Sequence, residues 1–386
     1  MLYTGKNIDV NNSSFFSDGG FVAEINYIAE KLGEMTLVCP VSAKTRTAVG
    51  KKNISENISV IPLYAPCAFI WYPVAILQYF YKIICTMKKN DTNLIYVPSI
   101  TPAGAIALIV CVLKGGNAII CDRGSIVSVM RNSGEANSAK GKIVYLWNII
   151  WEWTANRLGR RYLTYIRGKQ RCEQRAKHGG IVKPLIGSAQ EYPSFNGNAK
   201  RKNSNFVYIG RIEKAKGVYD LLEAFSALSK DFPDAELHLV GADCDNGLIM
   251  QRIRDYGISN QVAVHGLLEY GPELFKVFDL ARCTVLPSYS EGVPNVLLEG
   301  MAAGTLVIGT DIGGIPDIID DCENGFLVPA GKPVMLEEVM RKMILLSEDK
   351  FLGMQAAAFK KVASWTRQKS FPAIIDELIK RRDGTL

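Results

Sequence analysis

Short apolar runs punctuate this chain from end to end. In its first half they fall at 35–41, 58–63, 94–98, 117–121 and 162–166. In its second half they fall at 206–209, 236–240, 262–265, 284–287, 306–309 and 325–328. Runs of four to seven residues, rich in Val and Ile and closed by Gly, Pro or Ser, predict buried strands. Between them apolar residues return every three or four positions, as at 218–230 and 293–303, which predicts helices. Alternating strand and helix predicts right-handed βαβ units around a parallel sheet. The alternation occurs twice, on either side of a segment at 187–205 that holds turn residues and charge but no period. The expected fold class is therefore α/β, with two doubly wound, Rossmann-like domains at 1–195 and 196–365. A closing amphipathic helix is expected at 371–382.

One stretch bears on membranes. Residues 67–85 (CAFIWYPVAILQYFYKIIC) contain only Gln78 and Lys82 as strongly polar side chains. A spanning helix needs about 20 apolar residues. Pro73 interrupts this run, and Tyr72, Tyr79 and Tyr81 are side chains of interfacial type. The expectation is a helix packed on the sheet, with one face resting on lipid at most.

Candidate chemistry gathers in the second half. The segment 287–314 reads PSYSEGVPNVLLEGMAAGTLVIGTDIGG. It leaves a strand through a polar loop and enters a helix near Pro294, a residue favoured in the first helical turn. Glu291 precedes that helix, and Glu299 lies within it among Leu297, Leu298, Met301 and Ala302. On a continuous helix an eight-residue step ends roughly 80° past two turns, so the two carboxylates would face one side at different depths. Such a pair suits a ligand with hydroxyls at two places along its length. A carboxylate in apolar company needs a partner, because an unpaired buried charge is costly. The helix start also offers N–H groups at Val293, Asn295 and Val296 to an anion.

The second constellation is YIGRIEKAKG at 208–217. Arg211 and Lys216 stand at the C-terminal end of a predicted strand, just before a helix, where doubly wound folds place ligands. Two fixed cations there suit a diphosphate. The G-x-x-x-x-G-K-[ST] loop of ATPases is absent from the sequence.

Composition and charge narrow the field. Hydrophobic residues are 48% and charged residues 22% of the 386, an ordinary globular balance that sets aside disorder and coiled coil. The nine Cys are scattered, never C-x-x-C, and lie mostly in apolar runs, as reduced thiols in a cytoplasmic protein do. Met1 to Gly20 lacks the pattern of a secretory signal. The net charge of +7 divides into +12 for residues 1–200 and −5 for residues 201–386. A basic cluster (Arg157, Arg160, Arg161, Arg167, Lys169, Arg171, Arg175, Lys177) lies beside Trp151, Trp153 and Tyr162. Charge beside indoles suits an anionic membrane surface or a polyprenyl-diphosphate acceptor, and a solvated helix face is the plainer alternative. No nucleic-acid motif accompanies it, so nucleic acid is not an expected partner. Asp243-Cys244-Asp245 forms a D-x-D, but in a loop after a predicted strand, and no metal is expected there.

Taken in order, GRxxxxKG, the loop with Gly266, PSYSEGVPNVLLEGMAAG, TDIGGIPD and NGFLV resemble the C-terminal half of family 4 retaining glycosyltransferases of the GT-B fold. The resemblance covers about 204–345; the first half matches only through Gly19-Gly20 before a helix at 22–32. It implies two domains facing each other across a cleft, with the segment 366–386 crossing back to the first. It implies that Glu299 bonds the ribose and Glu291 the transferred sugar, while Arg211 and Lys216 hold the diphosphate. Gly292, Val293, Pro294 and Asn295 would line sugar and phosphate. His265, Gly266 and Leu267 would border the base, and Gly19 and Gly20 would approach the phosphates from the other domain. Members of this fold generally need no bound metal, so no cofactor is expected. Where many relatives carry a His, this chain reads Ile120-Cys121-Asp122-Arg123-Gly124; Asp122 and Arg123 would either contact a substrate or form a structural ion pair.

The expected function is transfer of a sugar from a nucleotide sugar to an acceptor hydroxyl, with retention of configuration. A lipid-linked intermediate of a cell-surface polysaccharide, such as lipopolysaccharide, fits the basic first half. That places the protein in the cytoplasm, with peripheral contact at the inner face of the membrane as an option. The rivals are a nucleotide-sugar epimerase of the same fold and a non-catalytic scaffold.

Overall fold

The structure, a computed structural model, describes residues 2–3, 8–11, 14–33, 35–42, 51–64, 72–89, 94–97, 101–122, 127, 130, 139–166, 169–184, 195, 202–365 and 367–383. Two compact units emerge: Met1–Gln190 with Thr366–Leu386, and Glu191–Trp365.

Among the described residues, the first unit is built on a sheet of ten strands. These are β1 (Leu2–Tyr3), β2 (Ile8–Asn11), β3 (Ser14–Asp18), β4 (Met35–Ser42), β5 (Lys51–Asn53), β6 (Ile58–Tyr64), β7 (Leu94–Val97), β8 (Asn117–Asp122), β9 (Leu163–Ile166) and β10 (Val182–Pro184). The order is β10-β9-β8-β7-β1-β4-β2-β3-β5, with β6 also paired to β4. Pairing is parallel except for β2–β3 and β3–β5. The five apolar runs expected here are β4, β6, β7, β8 and β9. Their Val38, Ile95, Val97, Ile119, Ile120 and Leu163 are buried, as central parallel strands between helix layers require.

Helix Tyr72–Lys89 shows what the apolar stretch at 67–85 is for. Ala75, Tyr79, Ile83 and Met87, one turn apart, are buried in the core, while Leu77 and Tyr81 point out. Among the described residues no helix is long and apolar enough to cross a membrane. Residues 67–71 lie outside the described residues. Helix Arg367–Arg382 seats Ile374, Ile375 and Leu378 in the same core as Val22, Ile25 and Ile28.

The second unit holds a six-stranded, wholly parallel sheet. Its strands are β11 (Lys202–Ile209), β12 (Leu237–Val240), β13 (Val262–Gly266), β14 (Ala281–Leu286), β15 (Leu306–Thr310) and β16 (Phe326–Val328). The order is β13-β12-β11-β14-β15-β16. In order of appearance this is 3-2-1-4-5-6, the doubly wound arrangement whose direction reverses between its first and fourth strands. That reversal falls between β11 and β14. The unit begins earlier than the expected loop allows. Lys202–Asn205 already belong to β11, because the buried Asn205 amide bonds to Glu236 (3.1 Å) and to the Leu280 carbonyl (3.3 Å). Phe195 is likewise part of this unit, edge-on to Phe359 at 5.1 Å between ring centres.

Candidate active site

The site grows from the C-terminal ends of β11 and β14. Past β11 the chain runs through Gly210 and Arg211 under two constraints. The buried Tyr208 hydroxyl donates to the Arg211 carbonyl at 2.6 Å. Gly241, at the end of β12, packs so closely that a Cβ there would lie 1.8 Å from the Gly210 oxygen.

A single 3-10 turn, Lys214–Lys216, then leads to Gly217, whose φ is +68°. Only glycine takes that conformation without strain, and a Cβ there would lie 1.9 Å from the Pro287 carbonyl oxygen. The Tyr289 amide donates to the Ala215 carbonyl at 3.1 Å. The loop after β11 is thus laid directly on the loop after β14. This brings the Lys216 Nζ to 2.7 Å from Glu291 Oε1, across 75 residues of sequence. The same carboxylate oxygen accepts the Ser288 hydroxyl at 2.8 Å. Ser288 is wholly buried, and its carbonyl accepts the Thr310 hydroxyl from the end of β15 at 2.7 Å. Lys216, Ser288 and Thr310 therefore fix Glu291 from three neighbouring strand ends. Lys216 is an expected residue; Ser288, the second residue past β14, and Thr310 are supports to which the sequence analysis assigns no role.

Glu291 is not helical, which corrects the spacing argument. The helix is Asn295–Ala303, and Pro294 caps it in an extended conformation (φ −75°, ψ 122°). The eight-residue rotation does not apply, because the loop before the helix is pinned elsewhere. The Gly314 amide donates to the Gly292 carbonyl at 2.6 Å. Gly313 has φ +57°, and a Cβ on it would lie 2.0 Å from the Glu291 carbonyl oxygen. The TDIGG turn is thus a wedge that shapes the Glu291–Val293 backbone. Gly313→Ala is expected to destabilise this unit by about 2 kcal/mol or more and to weaken nucleotide-sugar binding; calorimetric melting and ligand titration measure both.

Glu299 sits on the helix Asn295–Ala303 and is 5% exposed. Among the described residues no hydrogen bond or ion pair reaches it. Burial alone pushes its carboxyl up to about 7. The helix can enter so deeply because Gly300 abuts the Thr284–Thr305 hydroxyl pair, where a Cβ would meet the Thr284 hydroxyl at 2.6 Å.

The other expected residues fall as follows. Arg211 is exposed and pairs with Glu213 at 2.9 Å, so a ligand must draw it from that partner. Val293 and Asn295 each already take part in an interaction within the chain, so the helix start is less open than the sequence suggests. Gly266 ends β13 with φ +71° and accepts the Gly241 amide at 2.8 Å, while Leu267 beyond it is exposed. His265 contacts His238 at 3.2 Å between ring nitrogens. Gly19 and Gly20 belong to the other unit and open the helix Gly19–Leu32 directly after β3. Asp122 is buried at the end of β8; Arg123 lies outside the described residues.

The D-x-D has a structural account. Asp243 accepts the amides of Asp245 (2.9 Å) and Gly247 (2.7 Å), and Asp245 accepts the Tyr219 hydroxyl (2.7 Å). Among the described residues no three His, Cys, Asp or Glu side chains are grouped as a metal site.

Comparison with known proteins identifies the unit that carries this geometry. Its sequence at 191–359 matches the family profile Glycosyl transferases group 1. A curated relative, the N-acetyl-alpha-D-glucosaminyl L-malate synthase of Bacillus anthracis, is 34% identical over 125 residues, 32% of this chain and 32% of that protein. The chain thus matches about a third of the length of that relative. Two solved structures superpose over nearly all of both chains. WaaG, a glycosyltransferase involved in lipopolysaccharide biosynthesis, has a TM-score of 0.71 at 13% identity and 100% coverage of each. Anabaena Alr3699/HepE in complex with UDP-glucose has a TM-score of 0.63 at 16% identity, covering 100% of this chain and 99% of that one. At such identities the likeness speaks to fold, and the fold is GT-B, as the motif order of the second unit led us to expect.

Proposed function

We propose that this chain is a retaining glycosyltransferase that moves a sugar from a nucleoside-diphosphate sugar to an acceptor hydroxyl. The observation that carries this reading is the Lys216–Glu291 pair at the strand-order reversal, in the same sheet-and-helix unit as the carboxyl of Glu299, buried with no partner among the described residues. A diphosphate takes Lys216, and Arg211 once drawn from Glu213. Glu291 turns to the hydroxyls of the transferred sugar, and Glu299 accepts the ribose hydroxyls. The backbone at Gly292–Asn295 lines sugar and phosphate, and Gly266 and Leu267 border the base. The bond between the anomeric carbon and the diphosphate oxygen breaks with its electron pair. The acceptor oxygen bonds to that carbon, and its proton is released. Fixed cations beside the departing diphosphate stabilise the charge that develops there.

The match of 191–359 to the group 1 profile and the likeness to a UDP-glucose-binding structure support the donor class. A lipid-linked or cell-surface polysaccharide acceptor, at the cytoplasmic face of a membrane, is the reading of the basic first half and of the likeness to WaaG. We propose that no metal takes part, so transfer is expected to proceed unchanged in excess EDTA; a loss restored by one divalent ion would reject this point. Thermal shift against UDP-, GDP-, ADP- and dTDP-sugars tests the whole reading, since a ligand of the native state raises its melting point. A shift with one of them supports it. A sugar epimerised without acceptor, or no shift with any, refutes it.

A further inference from the structure

Helix Ala139–Leu158 has 20 residues and packs its inner side on the first unit, with Ala155 buried. A surface helix normally turns charged or polar side chains outward. This one does not. Ile143, Leu146, Ile150 and Trp153 are between 55% and 63% exposed. At about 100° per residue, their +3, +4, +3 spacing places all four within an arc roughly 80° wide, opposite Ala155. Along the helix Lys142 stands at one end of this stripe, about 20° beyond its edge, and Arg157 at the other end, within it, both exposed. Arg157 stacks over the Trp153 ring at 5.9 Å, and Arg160 and Arg161 follow, exposed, in the turn Gly159–Arg161. The one acid of the helix, Glu152, lies about 100° outside the arc's edge.

We infer that this face is a docking surface for an anionic lipid bilayer, on which the helix lies in the plane of the headgroups. The charge pattern selects that occupant. Cations stand at both ends of the apolar stripe, so a second copy of the helix, parallel or antiparallel, would set cation against cation. A layer of anionic headgroups satisfies both ends at once, while the four apolar side chains enter the acyl boundary. Trp153 sits where indoles favour the membrane interface. The inference gives a place to the membrane contact suggested by the basic first half, and it relocates that contact. Arg175, counted in the basic cluster, is turned inward onto the Asn156 side chain and packs against Gly159. Lys169 and Arg171 lie on the separate helix Lys169–Lys177, and Arg167 lies outside the described residues.

The test is co-sedimentation of the full chain with phosphatidylcholine vesicles, with and without phosphatidylglycerol. The wild type is expected to bind the anionic vesicles, and less so at high salt. The double variant Leu146→Asp, Ile150→Asp is expected to lose at least about tenfold in binding. Trp153→Phe is expected to bind while losing most of the blue shift in tryptophan emission. Far-UV circular dichroism and nucleoside-diphosphate titration report folding and the donor site separately, so loss of vesicle binding with both intact is a result about this face alone. Equal binding by wild type and double variant overturns the inference. So does absence of binding to anionic vesicles, or a wild-type dimer in light scattering that the double variant abolishes.

Discussion

Lys216→Ala is expected to slow sugar transfer by about 100-fold or more and to weaken nucleoside-diphosphate binding. The side chain has two roles. In the free protein it neutralises Glu291 at 2.7 Å; with donor bound it faces the diphosphate that becomes the leaving group. The charge on that group grows as the sugar–phosphate bond breaks, so the loss should fall on kcat more than on KM. Glu291→Gln separates the two roles. It frees Lys216, so nucleoside diphosphate alone should bind at least as tightly as to the wild type. The sugar nucleotide should lose affinity, because its sugar hydroxyls lose a charged acceptor. Calorimetric titration with each ligand, and a double-mutant cycle between Lys216 and Glu291, measure the coupling. Wild-type kinetics in Lys216→Ala would remove the diphosphate from this place.

The second unit was legible because its chemistry sits where its periodicity changes. Each of β11 to β15 is an apolar run, and Gly210, Gly266, Pro287 and Thr310 mark where those runs meet the edge that doubly wound sheets use for ligands. What the sequence could not show is which loop meets which. Lys216 and Glu291 pair because β11 and β14 are hydrogen-bonded neighbours, although two strands separate them in chain order. The hidden supports follow from that adjacency. Ser288 is an ordinary serine until β15 brings Thr310 beside it, and Gly313 matters only because its turn lies under Glu291.

The first unit was less legible for a different reason. Strands β2, β3 and β5 (IDVN, SFFSD, KKN) are short and polar and carry no apolar run. They pair at one margin of the sheet, β5 through a single partner. On helix Ala139–Leu158 apolar residues occupy every side, so the pattern could not say which would be outward; only the packing of Trp151, Ala155 and Leu158 on the core decides it.

Glu299→Gln is expected to make the free protein more stable and the donor complex weaker, with both effects governed by pH. Burial lifts the Glu299 carboxyl from 4.5 to about 7. Between those values the folded chain keeps a proton that the unfolded chain has released. The wild type therefore loses stability as pH rises through that window, by about 3 kcal/mol once above it. Glutamine has no proton to lose. Its melting temperature should exceed that of the wild type by several degrees near pH 8, and the difference should vanish near pH 4.5. Donor binding runs the other way. Two ribose hydroxyls donate best to an ionised carboxylate, so the wild type should bind sugar nucleotide more tightly as pH rises to about 7 and, below that pH, release a proton on binding. Calorimetry in buffers of different ionisation enthalpy reads that proton directly. The glutamine variant should release none and bind more weakly at every pH above 7. Parallel melting curves and equal donor affinity across the range would mean that no ribose reaches Glu299, and that its burial serves packing alone.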